Sequence, residues 1–174
     1  RAGIVKSLRE PGPLITGVSL ADDWHAKRIE LLRDAFPKGR RLGVLLDRNW
    51  ANYEDFAGLI GKPAETFGYL ATPFLADTPA EARAVLQGAN ARLMDAWYIP
   101  PNYIAYLAER EIIEQLQHMN VPAMHATEQE VANGALMAFA QDASFASEAM
   151  ADLTLRILRG EDAGAIPVQR AKKF

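Results

Sequence analysis

Three places where an apolar run passes into a polar, aromatic turn hold the groups of this chain best suited to small-molecule chemistry. The run 42–46 enters Asp47-Arg48-Asn49-Trp50-Ala51-Asn52, the run 93–99 enters Pro100-Pro101-Asn102-Tyr103, and the run 121–125 enters Ala126-Thr127-Glu128-Gln129. The first turn offers a carboxylate for an amine, side-chain amides for hydrogen bonds and an indole wall. The second has a stiff Pro-Pro corner and tyrosine rings that can wall an apolar pocket and still present a hydroxyl. The third adds Thr127. Each turn opens a helix-like stretch, and at the first turn the helix's unpaired backbone N–H groups suit an anionic group. The candidate binding residues are therefore Asp47, Asn49, Trp50, Asn52, Pro101, Asn102, Tyr103 and Thr127.

Groups that could break or form bonds are scarce. The 174 residues contain no cysteine, which excludes disulfides, thiolate metal sites and a cysteine nucleophile. No serine lies in G-x-S-x-G, and neither G-x-G-x-x-G nor a phosphate loop occurs. His25, His118 and His125 fit no metal-ligand spacing, and Glu109, Glu111 and Glu114 read as a solvated helix face. The expectation is a protein with no catalytic residues, no metal and no cofactor. An α/β enzyme using Asp47 or Asp95 as a base is a further alternative, without a paired acid or nucleophile to support it.

Composition is that of an ordinary folded domain, not of a disordered or collagen-like chain. Hydrophobic residues make up 49% and charged residues 24%, an ordinary globular balance. The net charge of -3 argues against a nucleic-acid partner. No apolar run approaches the roughly 20 residues of a membrane span. The chain opens on Arg1 in what reads as mid-helix, so it is expected to be a fragment or a processed product.

The elements that must position the three turns follow from periodicity and punctuation. Residues 2–9 read as a helix end, stopped by Glu10-Pro11-Gly12-Pro13, and 14–18 as a short extended run. A helix capped by Asp22 or Asp23 runs through Phe36. Strands are expected over 41–46, 67–75, 92–99 and 121–125, with a further apolar segment over 135–139. Between them lie helices over 51–60, closed by Gly61-Lys62-Pro63, over 79–87, capped by Thr78 with Glu81 behind it, and over 102–119. A turn starting at Thr127-Glu128 runs to Gly134, a helix covers 144–158, and 165–169 is extended. Alternating strands and helices imply an α/β fold with a doubly wound, mostly parallel sheet. In such a sheet the carboxyl ends of the strands face one crevice, and ligands bind there.

The order of several segments resembles a known family. Leu14-Ile15-Thr16-Gly17-Val18-Ser19, then 26–32 and 41–45, form one half of the likeness. Val121-Pro122-Ala123, Asn133-Gly134-Ala135-Leu136-Met137, 151–160 and Ile166-Pro167-Val168-Gln169 form the other. Together they are similar to the substrate-binding proteins of bacterial ABC transporters, in the subgroup related to tryptophan- and tyrosine-binding lipoproteins. Asp47-Arg48-Asn49-Trp50 stands where that family often has an Asn-Pro turn, and Phe139-Ala140 where a Tyr-Gly is common.

The resemblance implies a type I periplasmic-binding fold, in which two Rossmann-like lobes joined by hinge strands close on a ligand. Residues 1–13 would be the terminal helix of a mostly missing first lobe and 14–19 a hinge strand with Thr16 and Gly17. Residues 20–134 would form the second lobe. Residues 135–174 would supply the return crossing at Met137 and Ala138, a hinge-packing helix and a C-terminal extension. The implied function is uptake of a small polar molecule, an amino acid or an aromatic or organic acid, with an ABC membrane permease as partner. The implied location is periplasmic or extracytoplasmic. A ligand-sensing domain of a signalling protein with the same fold is the alternative. Apolar surface near Ile4, Val5 and Leu14 points to self-association of the isolated chain.

Overall fold

A computed structural model describes residues 5–19, 24–48, 56–140 and 143–170. The chain divides into two compact units, Asp23–Ala140 and the pair of segments Arg1–Asp22 with Gln141–Phe174.

The larger unit is built on five parallel strands: β2 (Arg41–Leu46), β3 (Leu70–Leu75), β4 (Ala96–Tyr98), β5 (Ala123–His125) and β6 (Met137–Ala138), in the order β3-β2-β4-β5-β6. The expected α/β class and parallel sheet are both present. Alternate residues of each strand feed opposite faces, as a period-2 backbone requires. Leu45, Trp97, Ile99 and Ala123 pack under α3 (Pro79–Gln87), α4 (Tyr103–Leu107) and α5 (Glu109–Met119). Leu42, Val44, Leu46, Tyr98 and Met124 pack under α1 (His25–Ala35) and α2 (Lys62–Thr66). Covering both faces is why β2 reads as an unbroken apolar run. Pro73 sits in β3, an edge strand, where a missing N–H is tolerated.

Gly43 makes the centre of this sheet possible. It lies opposite Trp97 in the β2–β4 register, and a Cβ there would stand 2.8 Å from the indole ring. The bare glycine lets the fully buried indole lie across β2.

Local physics corrects several boundaries. The helix expected to stop at Gly61-Lys62-Pro63 continues: a π-helical turn over Ala57–Gly61 passes into α2, and Pro63 falls in the new helix's first turn, where no N–H is needed. The single helix expected over 102–119 is two, breaking at Ala108 with φ -114° and ψ 25°. The first turn of α4 is held at the end of β2 while α5 lies along α3, and the two meet at the fully buried Ala108. The strand expected over 92–99 is shortened to β4. A 3-10 turn occupies Ala91–Leu93, and the Asp95 carboxylate takes the N–H groups of Arg40 and Arg41 at the sheet's entry. The segment 127–134 contains a real helix, α6 (Glu128–Ala132). The Asp22 or Asp23 cap lies outside the described residues; Trp24 occupies the N-cap position of α1 without a side-chain capping bond.

The smaller unit pairs β1 (Val18–Ser19) with β7 (Gln169–Arg170) in parallel and carries α7 (Ala143–Leu158). Thr16 donates its hydroxyl to the Ile166 carbonyl at 2.8 Å, and Gly17 O accepts from Gln169 N–H. Residues 5–10 form bends instead of the expected helix end, because Lys6 and Ser7 donate forward, to Pro11 and Glu10 carbonyls. No helix among the described residues is long and apolar enough to cross a membrane.

Candidate functional site

The strand order reverses between β2 and β4: the chain leaves β2 for β3 on one side, then returns to β4 on the other. Such a switch point leaves a crevice at the carboxyl ends of the strands. Two of the three predicted turns meet there. Asp47, immediately after β2, is only 4% exposed, and its Oδ2 accepts the Tyr103 N–H at 3.0 Å. Its second oxygen has no partner among the described residues.

Asn102 joins the same two turns. Its Nδ2 donates to the carbonyls of Leu45 and Pro100, both at 2.9 Å, and its Oδ1 caps α4 by accepting the Ala105 N–H at 3.1 Å. Both amide hydrogens are engaged, so Asn102 fixes the loop after β4 against β2. Tyr103 is 64% exposed at the start of α4, and Pro101 is half-buried behind it. Asn49, Trp50 and Asn52 lie outside the described residues.

Thr127 follows β5, one strand further along. Its hydroxyl accepts the Glu130 N–H at 3.3 Å and donates to Glu130 Oε2 at 2.8 Å, a capping box for α6. No hydrogen bond joins it to Asp47, Asn102 or Tyr103 among the described residues. Glu130 is itself buried and takes donors from His125 Nδ1 at 3.0 Å and from the Ala126 and Thr127 N–H groups. Burial would raise its pKa; those donors, His125 foremost, outweigh burial and leave it below the ordinary glutamate value.

Beneath this edge, α1 supplies two buried polar side chains. His25 Nδ1 lies 2.7 Å from the hydroxyl of Tyr98, the last residue of β4. Arg28 donates to the carbonyls of Phe139 and Ala126, holding the carboxyl ends of β6 and β5. The Arg48 guanidinium points its charge elsewhere, pairing with Asp77 at 2.7 Å and Glu81 at 2.8 Å. Those pairs raise the Arg48 pKa and lower both carboxyl values. Asp95 stands at the opposite, amino edge, held as a carboxylate by Arg41 and so removed from the crevice.

Sequence reasoning missed Glu130, Arg28 and the His25–Tyr98 pair. Glu130 had a readable signal, Thr127-x-x-Glu130, the spacing of a capping box. The other two depend on contacts across 73 or more residues and have no local signature. Among the described residues no cluster of three or more metal-ligating side chains occurs.

Fold and site together give an α/β sheet domain with a buried carboxylate at the switch point and an exposed tyrosine beside it. The chain belongs to the ABC transporter substrate binding protein family, which it matches over residues 1–174. It is 25% identical over 170 residues to a tyrosine-binding protein of Clostridioides difficile (strain R20291), covering 96% of this chain and 48% of that protein. The chain thus spans about half the length of that relative. Among solved structures it resembles a conserved domain protein of Vibrio cholerae O1 biovar El Tor, with TM-score 0.84 and 25% identity over 98% of this chain and 57% of that one. It also shares its fold with an ABC domain from Streptococcus pneumonia in complex with L-Trp, with TM-score 0.82 and 20% identity over 99% of this chain and 59% of that one.

Proposed function

We propose that this chain forms the later part of a solute-binding protein of an ABC uptake system, and that its cargo is a small amino acid or a related aromatic or organic acid. One observation carries the reading: the buried Asp47 carboxylate at the switch point has one oxygen on Tyr103 N–H and the other without a partner among the described residues. A buried carboxylate with an open oxygen favours a cationic donor such as an α-amine, because a charge-assisted hydrogen bond offsets its desolvation. Tyr103 and Trp50 would wall the cargo side chain. Asn49 and Asn52 would reach its polar ends, and Thr127 would border it from β5. The curated relative's name, tyrosine-binding protein, supports an amino acid with an aromatic side chain.

In this reading the mechanism is lobe closure, a shift between open and closed populations driven by contacts made only when closed. Chain crossings at Thr16-Gly17 and Met137-Ala138 would serve as hinges. Both lie a few residues from the boundaries that separate the two compact units. Residues 1–13 would belong to the first lobe. The protein acts as a carrier without turnover, outside the cytoplasm, and delivers its cargo to a membrane permease.

A thermal-shift screen of the parent protein against amino acids, aromatic acids and small dicarboxylates tests this. A ligand at a hundred times its Kd stabilises by about 2.7 kcal/mol. A shift confined to amine-bearing ligands is the expected result. A shift with acids that lack an amine, equal to that of their amino counterparts, would overturn the role given to Asp47.

A further inference from the structure

His125, the last residue of β5, is 2% exposed, yet only one of its ring nitrogens is engaged. Nδ1 lies 3.0 Å from Glu130 Oε1, while Nε2 has no partner among the described residues. With Nδ1 turned to the carboxylate, the neutral imidazole offers Nε2 as a hydrogen-bond acceptor. The same imidazole lines a pocket of about 330 Å³, walled chiefly by Ile113 and Leu116 of α5, Ala123 of β5 and Leu136 at its rim. Gln117 closes one side by donating to the Gly134 carbonyl at 2.8 Å.

This pocket is not the crevice described above. Its walls come from 120–123 and 134–136, the segments that enter β5 and β6, whereas Asp47, Asn102 and Tyr103 stand where strands leave the sheet. Its volume falls within the range of small-molecule sites, at the lower end. Its wall is mostly apolar, and its polar side chains are His125, Gln117 and Asn120.

The far side of the imidazole leads to the carboxyl edge. The Glu130 carboxylate that holds Nδ1 also holds Ala126 N–H at 3.1 Å, Thr127 N–H at 2.8 Å and the Thr127 hydroxyl at 2.8 Å. The Ala126 carbonyl in turn accepts from Arg28. A group bonded to Nε2 therefore acts, through one ring and one carboxylate, on the turn that follows β5.

We propose that this pocket is a second ligand site, an effector site for a small neutral molecule with a compact apolar body and one hydroxyl donor. The hydroxyl donates to His125 Nε2, and occupancy is transmitted through Glu130 to the Thr127 turn. The site does not depend on the cargo assigned to the switch point, and it is tested without that cargo.

The test is a nuclear magnetic resonance titration of this chain with phenol and, separately, with toluene, following the His125 ring nitrogens and the Thr127 amide. Phenol is expected to saturate at millimolar concentration, shifting both signals, and toluene to bind about fivefold more weakly for want of the hydrogen bond. His125→Phe should abolish the preference for phenol, and Leu136→Trp, at the exposed rim, should block both probes. If His125→Phe does not fold, the wild-type Nε2 shift decides. Equal affinity for the two probes, no saturable phenol binding, or shifts that bypass His125 would each overturn the proposal.

Discussion

Gly43→Ala places a methyl group where the sheet has no room. Its Cβ would stand 2.8 Å from Cδ2 and Cε2 and 2.9 Å from Cε3 of Trp97, whereas carbon atoms settle at about 3.5–4.0 Å. At least ~0.7 Å of overlap must be relieved. The indole cannot simply retreat, because Phe74 packs against it at a tilt, with ring centroids 4.8 Å apart. Relief must come from spreading β2 and β4 or forcing the ring off its rotamer, an overpacking cost of about 1–3 kcal/mol. Gly43 has no positive φ, so alanine also gains about 0.4–1 kcal/mol through the unfolded chain. The net expectation is a loss of about 1–2 kcal/mol, measured by urea denaturation of the chain and its variants. A double-mutant cycle with Trp97→Leu should show the two changes to be less than additive, since the smaller side chain vacates the overlap. A Gly43→Ala protein as stable as wild type, or full additivity in the cycle, would refute the packing argument.

Three further outcomes are expected. Asn102→Ala removes the bonds to Leu45 and Pro100 and the cap on α4, and should cost about 1–2 kcal/mol in urea denaturation while loosening Tyr103. Asp95, Asp77 and Glu81 all have depressed pKa values through their arginine partners, so their stabilisation is full above the unfolded carboxyl values and disappears as pH falls through the folded ones. Acid titration of Asp95→Asn should therefore show a flatter loss of stability below about pH 4 than wild type; identical curves would contradict this. Leu14 and Leu158 are 86% and 78% exposed, so the isolated chain should self-associate, and a dilution-independent monomer in sedimentation would count against it.

Short-range rules made much of the fold legible. The apolar run of β2, and Thr78-Pro79 with Glu81 capping α3, behave as their types dictate. The departures arise where distant residues, or a local turn without a sequence signal, decide. Nothing near Ala108 announces a break, because the break follows from α4 being held on β2 and α5 on α3. Pro63 looked like a stop until the π-helical turn before it placed it at a helix start. For the candidate site, the sequence pointed to the strand-end turns, and the structure brings Asp47 and Tyr103 together across 56 residues. It could not reveal that Asn102 and Thr127 direct their side chains into caps, since both uses draw on the same residue types. The roles of His25 and Arg28 behind the strand ends have no local signature, because their partners lie 73 or more residues away.

In the proposed reading Asp47 receives the cargo's amine. Calorimetric titration of the parent protein and its Asp47→Asn variant with the ligand found in the screen tests it most directly. The asparagine keeps an acceptor for Tyr103 N–H and removes the charge, so the fold should survive. Loss of a charge-assisted hydrogen bond worth about 1.5–3 kcal/mol predicts roughly ten- to hundredfold weaker binding. Unchanged affinity in a folded Asp47→Asn protein would contradict the account.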